Sequence, residues 1–231
     1  MSRASDFVSA IVVAGGSSRR MGFDKLRADL AGKPVFLHSL ETLQNCPDVG
    51  QIILVASEQN LEEFRTQTEH LTKLTDVVAG GAERHFSVAA GLAVTRGQFV
   101  AVHDAARPLL SARDLQAVIQ EARASGAASL AAPVADTLKR ADADGCVTEA
   151  VDRAQLWAMQ TPQVFRTEAL RSAYELVLQS GEVVTDEVSA VAKIGTRVKL
   201  VPAQDFNFKI TYSCDIALAR LALHSLPEVE S

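Results

Sequence analysis

Arg19, Arg20 and Lys25 follow two glycines, Gly15 and Gly16, at the end of the short apolar run Val8–Val13. Guanidinium and ammonium groups bond phosphate oxygens with charge-assisted hydrogen bonds, roughly twice as strong as neutral ones. Glycines without a Cβ can take positive φ and bring backbone N–H groups close against an oxyanion. Strand, glycine turn and cation cluster together suit a polyphosphate. Two common phosphate loops are excluded by spacing. Lys25 is preceded by Asp24 where a P-loop needs Gly, and Ser17 stands where the dinucleotide fingerprint needs its second Gly.

Two further polar turns repeat the arrangement. Gly80-Gly81-Ala82-Glu83-Arg84-His85-Phe86-Ser87 runs from glycines into a helix start, whose free N–H groups make Arg84 and its neighbours candidates for a nucleotide contact. His103-Asp104-Ala105-Ala106-Arg107-Pro108 follows an apolar run, and a carboxylate there can hold a ribose hydroxyl or a Mg²⁺ that bridges phosphates. Simpler roles exist for both charges: Asp104 as a turn cap, Arg107 as its salt-bridge partner. His103 has no second histidine at ligand spacing and reads as a packing residue at a strand end.

These turns need a scaffold that delivers them to one edge. Val8–Val13, Gln51–Ala56, Thr75–Ala79, Gln98–His103 and Ser129–Val134 are short apolar runs that read as buried strands. Helical stripes lie between them: Pro34–Leu43, Leu61–His70, Glu83–Thr95 and Ser111–Ala124, the last opened by a Ser N-cap. Alternating strands and helices indicate an α/β fold with a mostly parallel twisted sheet flanked by helices, a single Rossmann-like domain over residues 1–231, with ligands beyond the carboxyl ends of the strands. From about 136 to 153 the pattern changes to a polar β-hairpin around Asp142-Ala143-Asp144-Gly145. It has little to bury and is expected to protrude as an arm that lies on a second subunit. Helices at Glu168–Leu178, Thr185–Ala192 and Asp215–Leu223 and short strands at Arg197–Val201 and Asn207–Thr211 complete the expectation.

Bulk properties exclude several classes. A chain of 231 residues, 48% hydrophobic and 22% charged, is long enough for one large core. A net charge of −5 gives no general attraction to nucleic acid or anionic membrane. Three scattered cysteines offer neither a disulfide framework nor a zinc site and suit the reducing cytoplasm. No apolar run approaches the roughly 18 residues of a membrane span. The apolar run precedes Arg19-Arg20, the reverse of a twin-arginine export signal.

In order, the motifs are A-G-G-S-S-R-R-M-G-F-D-K, G-G-A-E-R-H-F-S-V, V-H-D-A-A-R-P, A-P-V-A-D-T-L-K-R, V-D-R, T-P-Q, T-D-E and N-F-K-I-T. The first resembles the signature of sugar- and polyol-activating nucleotidyltransferases, and over almost the whole chain the set resembles the 2-C-methyl-D-erythritol 4-phosphate cytidylyltransferases of non-mevalonate isoprenoid biosynthesis. The resemblance implies transfer of CMP from CTP to a polyol phosphate with Mg²⁺, in a homodimer that exchanges its arms. It implies that Ala14, Gly15, Gly16 and Ser17 hold the triphosphate and ribose, with Arg20 and Lys25 stabilising the reacting phosphate. Gly81 and Ser87 would meet the cytosine, Asp104 the ribose and magnesium, with Arg84 and Ala105 on the same nucleotide side. Arg107, Thr137, Arg153, Thr161, Thr185 and Lys209 would line the acceptor site, Arg153 and Lys209 assisting catalysis. Two alternatives stay open: a ribitol 5-phosphate cytidylyltransferase, and a nucleotide-sensing module without turnover, against which Arg20, Lys25 and Asp104 count.

Overall fold

In the computed structural model, which describes residues 6–15 and 24–225, the run before the first glycines forms β1 (Val8–Ala14). There follow β2 (Asp29–Leu30), β3 (Lys33–Pro34), α1 (Val35–Asn45), β4 (Val49–Ala56), α2 (Leu61–Gln67), β5 (Leu74–Ala79), α3 (Arg84–Ala93) and β6 (Phe99–Asp104). The second half comprises α4 (Ala112–Ser125), β7 (Ala127–Pro133), β8 (Leu138–Ala141), β9 (Val147–Val151), β10 (Trp157–Arg166), α5 (Thr167–Ser180), α6 (Glu187–Ala192), β11 (Lys199–Pro202) and α7 (Ser213–Ser225). The Ser111 hydroxyl accepts from the Asp114 N–H and starts α4, as the sequence anticipates.

Seven strands form one sheet in the order β11-β7-β10-β6-β1-β4-β5. Only β10 runs antiparallel to its neighbours, β6 and β7. Alternate side chains of each central strand enter opposite layers. On one face Val8, Ala10 and Val12 of β1 and Ile52 and Leu54 of β4 pack with Phe36 and Leu40 of α1, Phe64 of α2 and Leu115 and Ile119 of α4. On the other, Ile11, Ile53 and Val55 meet Val88 and Leu92 of α3, Leu170 and Val177 of α5 and Val191 of α6. Burial on both faces explains why these strands read as continuous apolar runs. Phe36 stacks on Phe64 at 4.4 Å between ring centres, and truncating either would cost about 3–5 kcal/mol.

The structure changes some local expectations. Asn207–Thr211 is an extended segment, not a strand. Of its backbone only Ile210 N–H reaches a carbonyl, that of Ala106 at 2.8 Å, and the segment is otherwise anchored through side chains. The helix expected from Thr185 begins at Glu187, because Asp186 caps it by accepting from Ser189 N–H at 2.9 Å. The polar hairpin forms as β8 and β9, a two-stranded sheet of its own, with every residue from Lys139 to Ala150 exposed. Among the described residues no helix is long and apolar enough to cross a membrane.

Candidate active site

The chain winds outward from β1 through β4 to β5, then returns to place β6 on the other side of β1. That reversal leaves a crevice beyond the carboxyl ends of β1 and β6, where ligands bind in open α/β sheets. Register brings Val13 beside Asp104, and Ala14, Ala56 and Ala79 into one row. Gly15 enters this crevice without a positive φ, and a Cβ on it would meet only ordinary contacts, so the left-handed turn expected there is absent at Gly15. Glycine is needed one turn away. A Cβ on Gly80 would lie 2.6 Å from Ser87 Oγ, and one on Gly81 2.3 Å from Phe86 Cβ. The close approach seats the start of α3 against β5, and Ser57, Glu58 and Gln59, just past β4, line an open cleft nearby.

Charges alternate across the crevice. Asp104 ends β6 with its Oδ1 accepting from Arg84 Nε and Nη2 at 3.3 and 3.2 Å, and its Oδ2 from Lys209 Nζ at 2.7 Å. Arg84, the first residue of α3, gives its forked end to Glu187, with Nη1 at 2.5 Å from Oε1 and Nη2 at 3.0 Å from Oε2. Burial works against ionising Asp104, but Arg84 and Lys209 outweigh it and hold the carboxyl well below the usual carboxylate range. Burial likewise opposes the charge on Arg84, and Glu187 and Asp104 overcome it.

Behind Asp104 lies a second set of bonds. Its N–H donates to Thr161 Oγ1 at 3.0 Å, and that hydroxyl is 3.1 Å from His103 Nδ1. His103 Nε2 is 3.2 Å from the Arg107 carbonyl, which fits a neutral ring with its proton on Nε2. Complete burial pushes the pKa of His103 down to about 4. Thr161 is therefore buried beneath Asp104, its hydroxyl engaged. Arg107 donates to the Asn207 carbonyl at 2.7 Å and to that of Met159 at 3.4 Å, bracing the segment that carries Lys209. Lys25 reaches the same segment, its Nζ 2.7 Å from the Ile210 carbonyl. Ala105 is buried, its N–H bonded to the Val13 carbonyl at 3.1 Å.

The structure thus gathers Lys25, Arg84, Asp104, Arg107, Thr161 and Lys209 around one crevice, with Ala14, Gly15, Gly81, Ser87 and Ala105 at its walls. Gly16, Ser17 and Arg20 lie outside the described residues. Thr137, Arg153 and Thr185 are exposed and, among the described residues, share no hydrogen bond or ion pair with this cluster. Arg153 Nη1 instead donates to the Ala135 carbonyl at the base of the arm. Gln163, Glu187 and Asn207 fall within the T-P-Q, T-D-E and N-F-K-I-T motifs, but sequence reasoning gave them no role in the site, and it missed Tyr174 altogether. The available signal was a polar group on an otherwise apolar stripe, such as Tyr174 beside Leu170, Ala173 and Val177.

Among the described residues no three His, Cys, Asp or Glu side chains group as a metal site. Mg²⁺ does not require such a cage, since it is commonly held by one or two carboxylates together with substrate phosphates and water. Asp104 fits that part. Two donors occupy Oδ1 but one occupies Oδ2, which leaves an acceptor position on Oδ2.

Similarity to known proteins agrees with this geometry. The family model described as 2-C-methyl-D-erythritol 4-phosphate cytidylyltransferase matches residues 8–225. A relative of that name from Symbiobacterium thermophilum is 41% identical over 94% of this chain and 92% of its own. Another from Aeromonas hydrophila is 41% identical over 94% of this chain and 89% of its own. The crystal structure of the 4-diphosphocytidyl-2C-methyl-D-erythritol synthase from Anaerococcus prevotii superposes with a TM-score of 0.84 at 29% identity, covering 95% of this chain and 99% of that one. The Thermus thermophilus structure titled as the cytidylyltransferase gives 0.80 at 26% identity, over 93% and 98%. The chain is a member of the 2-C-methyl-D-erythritol 4-phosphate cytidylyltransferase family.

Proposed function

We propose that this chain transfers CMP from CTP to 2-C-methyl-D-erythritol 4-phosphate and releases pyrophosphate, a step of isoprenoid biosynthesis. The observation that carries this reading is the alternating row Glu187, Arg84, Asp104 and Lys209 at the switch point, in a chain of that family. A phosphate monoester has a second pKa of about 6, so near neutral pH the acceptor is already an anionic nucleophile and needs no general base. The barrier lies in bringing two anions together.

The chain meets that repulsion with positioned cations. Lys209, paired with Asp104 yet 42% exposed in its side chain, stands where it can meet an acceptor phosphate. Lys25, held at the Ile210 carbonyl, faces the α-phosphate from the other side and stabilises charge as the phosphorus becomes five-coordinate. The acceptor oxygen attacks the α-phosphorus as the bond to the β-phosphate oxygen breaks, and pyrophosphate carries the electron pair away. Asp104, through Oδ2, would hold Mg²⁺ together with phosphate oxygens, and the ion would supply neutralising charge to the triphosphate.

The arm completes the site in our reading. A two-stranded hairpin exposed from Lys139 to Ala150 is marginal alone in water, and a two-fold dimer would cover both arms at once. Thr137 and Arg153 would then serve the partner's acceptor site. Free Cys46, Cys146 and Cys214 suit a reducing cytoplasm. The test is pyrophosphate release from CTP with methylerythritol phosphate and, separately, ribitol 5-phosphate. Turnover is expected with the first and with added Mg²⁺. Preference for ribitol phosphate would overturn the acceptor, and binding of CTP without turnover of either would leave a nucleotide sensor.

A further inference from the structure

Glu187 is the most deeply buried carboxylate of the row, with no exposed surface, and lies 103 positions from Arg84. It is locked from three sides. Tyr174 donates its hydroxyl to Oε1 at 3.0 Å. Gln163 Oε1 accepts from the N–H groups of Glu187 and Val188, both at 3.1 Å, and its Nε2 donates to Asp186 Oδ2 at 3.1 Å. The start of α6 is thereby tied to β10, and the Glu187 carboxylate is held between Tyr174 and Arg84.

A guanidinium offers five N–H donors in a fixed plane, with a forked end and a flank. Glu187 takes the fork, through Nη1 and Nη2, and Asp104 takes the flank, through Nε and Nη2 onto Oδ1 alone. That division leaves Oδ2 for Lys209. If the fork were free, it would match both oxygens of Asp104, and a bidentate Arg84 would fill the open position on Oδ2 and compete there with Lys209, weakening its hold. We propose that Glu187 is a positioning residue for the reaction: by occupying the fork of Arg84 it keeps Asp104 Oδ2, and with it Lys209, turned to the substrates. The assignment rests on the functional reading above. Stability alone does not account for the arrangement, because well-packed apolar groups commonly replace a buried ion pair without loss.

The experiment uses the full-length chain with Glu187→Gln, which keeps the volume and removes the charge. Without substrate, the rate of Lys209 acetylation by an amine-reactive reagent, followed by mass spectrometry, is expected to rise several-fold as Lys209 is released. With CTP, Mg²⁺ and methylerythritol phosphate, kcat/KM per folded molecule is expected to fall on the order of 10- to 100-fold, with KM for the acceptor raised. A merely structural residue would reduce the folded fraction and leave KM and Lys209 reactivity as they were. Should Glu187→Gln not fold, Tyr174→Phe removes one bond to Oε1 and should move both readouts the same way, roughly two- to tenfold. Unchanged Lys209 labelling overturns the proposal, and so does faster labelling with wild-type constants. A wild-type chain inactive with CTP and either polyol phosphate would overturn the functional reading instead, and Lys209 labelling would then decide the role of Glu187.

Discussion

Arg84 and Arg140 each pair with a glutamate, Glu187 in the crevice and Glu149 on the arm, but the two pairs sit in opposite surroundings. Side chains of the first pair are 26% and 0% exposed, those of the second 69% and 62%. In the crevice the charges are desolvated, so each depends on the next for compensation and none can move alone. On the arm the same residue types are screened by water and hold each other weakly. One half of the proposed site is therefore built by the chain's own fold. The other half stands on an exposed arm that, among the described residues, shares no hydrogen bond or ion pair with the crevice.

The sharpest way to break this comparison is to remove the central cation. Arg84→Met should destabilise the chain by about 3–5 kcal/mol, because Glu187 and Asp104 lose the charge that offsets their burial. Urea unfolding measures it, and a loss below 1 kcal/mol would mean that the crevice is far wetter than its burial indicates. Lys25→Ala comes next. A cation acting on the five-coordinate phosphorus works mainly in the transition state, so kcat should drop by about 10²-fold or more with little change in CTP affinity. Near wild-type kcat would assign the stabilising charge elsewhere.

The arm is sharpened by complementation. Arg153→Ala subunits and Lys25→Ala subunits are each expected to be inactive. Mixed equally, they should recover about a quarter of wild-type activity, because half the dimers would be mixed and each mixed dimer has one intact site. Exchange confirmed by native mass spectrometry without recovered activity would show that Arg153 serves its own chain.

A smaller effect separates burial from pairing. His38 is buried, with Nε2 2.8 Å from the Leu30 carbonyl, and burial lowers its pKa from 6.5. Asp104 is kept charged by its cations, whereas His38 is kept neutral. Because the folded pKa lies below the unfolded one, stability from neutral His38 is present above pH 6.5 and is lost as pH falls through the folded value. The urea midpoint should drop between pH 7.5 and 5, and His38→Gln should flatten that slope. An unchanged slope would place the proton uptake on other groups.

What could be read in the sequence follows the range of the interactions. The strands β1, β4 and β6 were legible because each is buried on both faces, which writes a local apolar run, and the partly exposed edge strand β5 through its short run Val77-Val78-Ala79. Asp104 was legible as a charge at the end of such a run. Glu187 stood in the T-D-E motif, but its pairing with Arg84 was not legible, since the partner is 103 positions away and no local pattern records a long-range ion pair. Asn207–Thr211 was misread as a strand because Phe208, Ile210 and Thr211 are strand formers. Its Asn207 Nδ2 bonds instead to Gln160 Oε1 and the Thr161 carbonyl, at 3.0 and 2.8 Å, and these side-chain anchors replace a ladder. At the first glycines β1 ends at Ala14, just before the motif's Gly15, but the close approach that demands glycine occurs at Gly80 and Gly81 and not at Gly15.

The smallest expected effect lies on the arm and tests the comparison most directly. Arg140 Nε and Glu149 Oε2 are 3.1 Å apart across β8 and β9, both largely exposed. A double-mutant cycle with Arg140→Ala and Glu149→Ala, at protein concentrations low enough to keep single chains, should give a coupling of about 0.2–1 kcal/mol that fades in 1 M salt. Concentration makes the cycle informative. If the arm lies on a second subunit, dimerisation removes water from around the pair, and the coupling should grow and lose its salt dependence. A coupling that stays small at every concentration, in a chain shown to be dimeric, would mean that the arm remains in solvent and that Arg153 works from its own subunit.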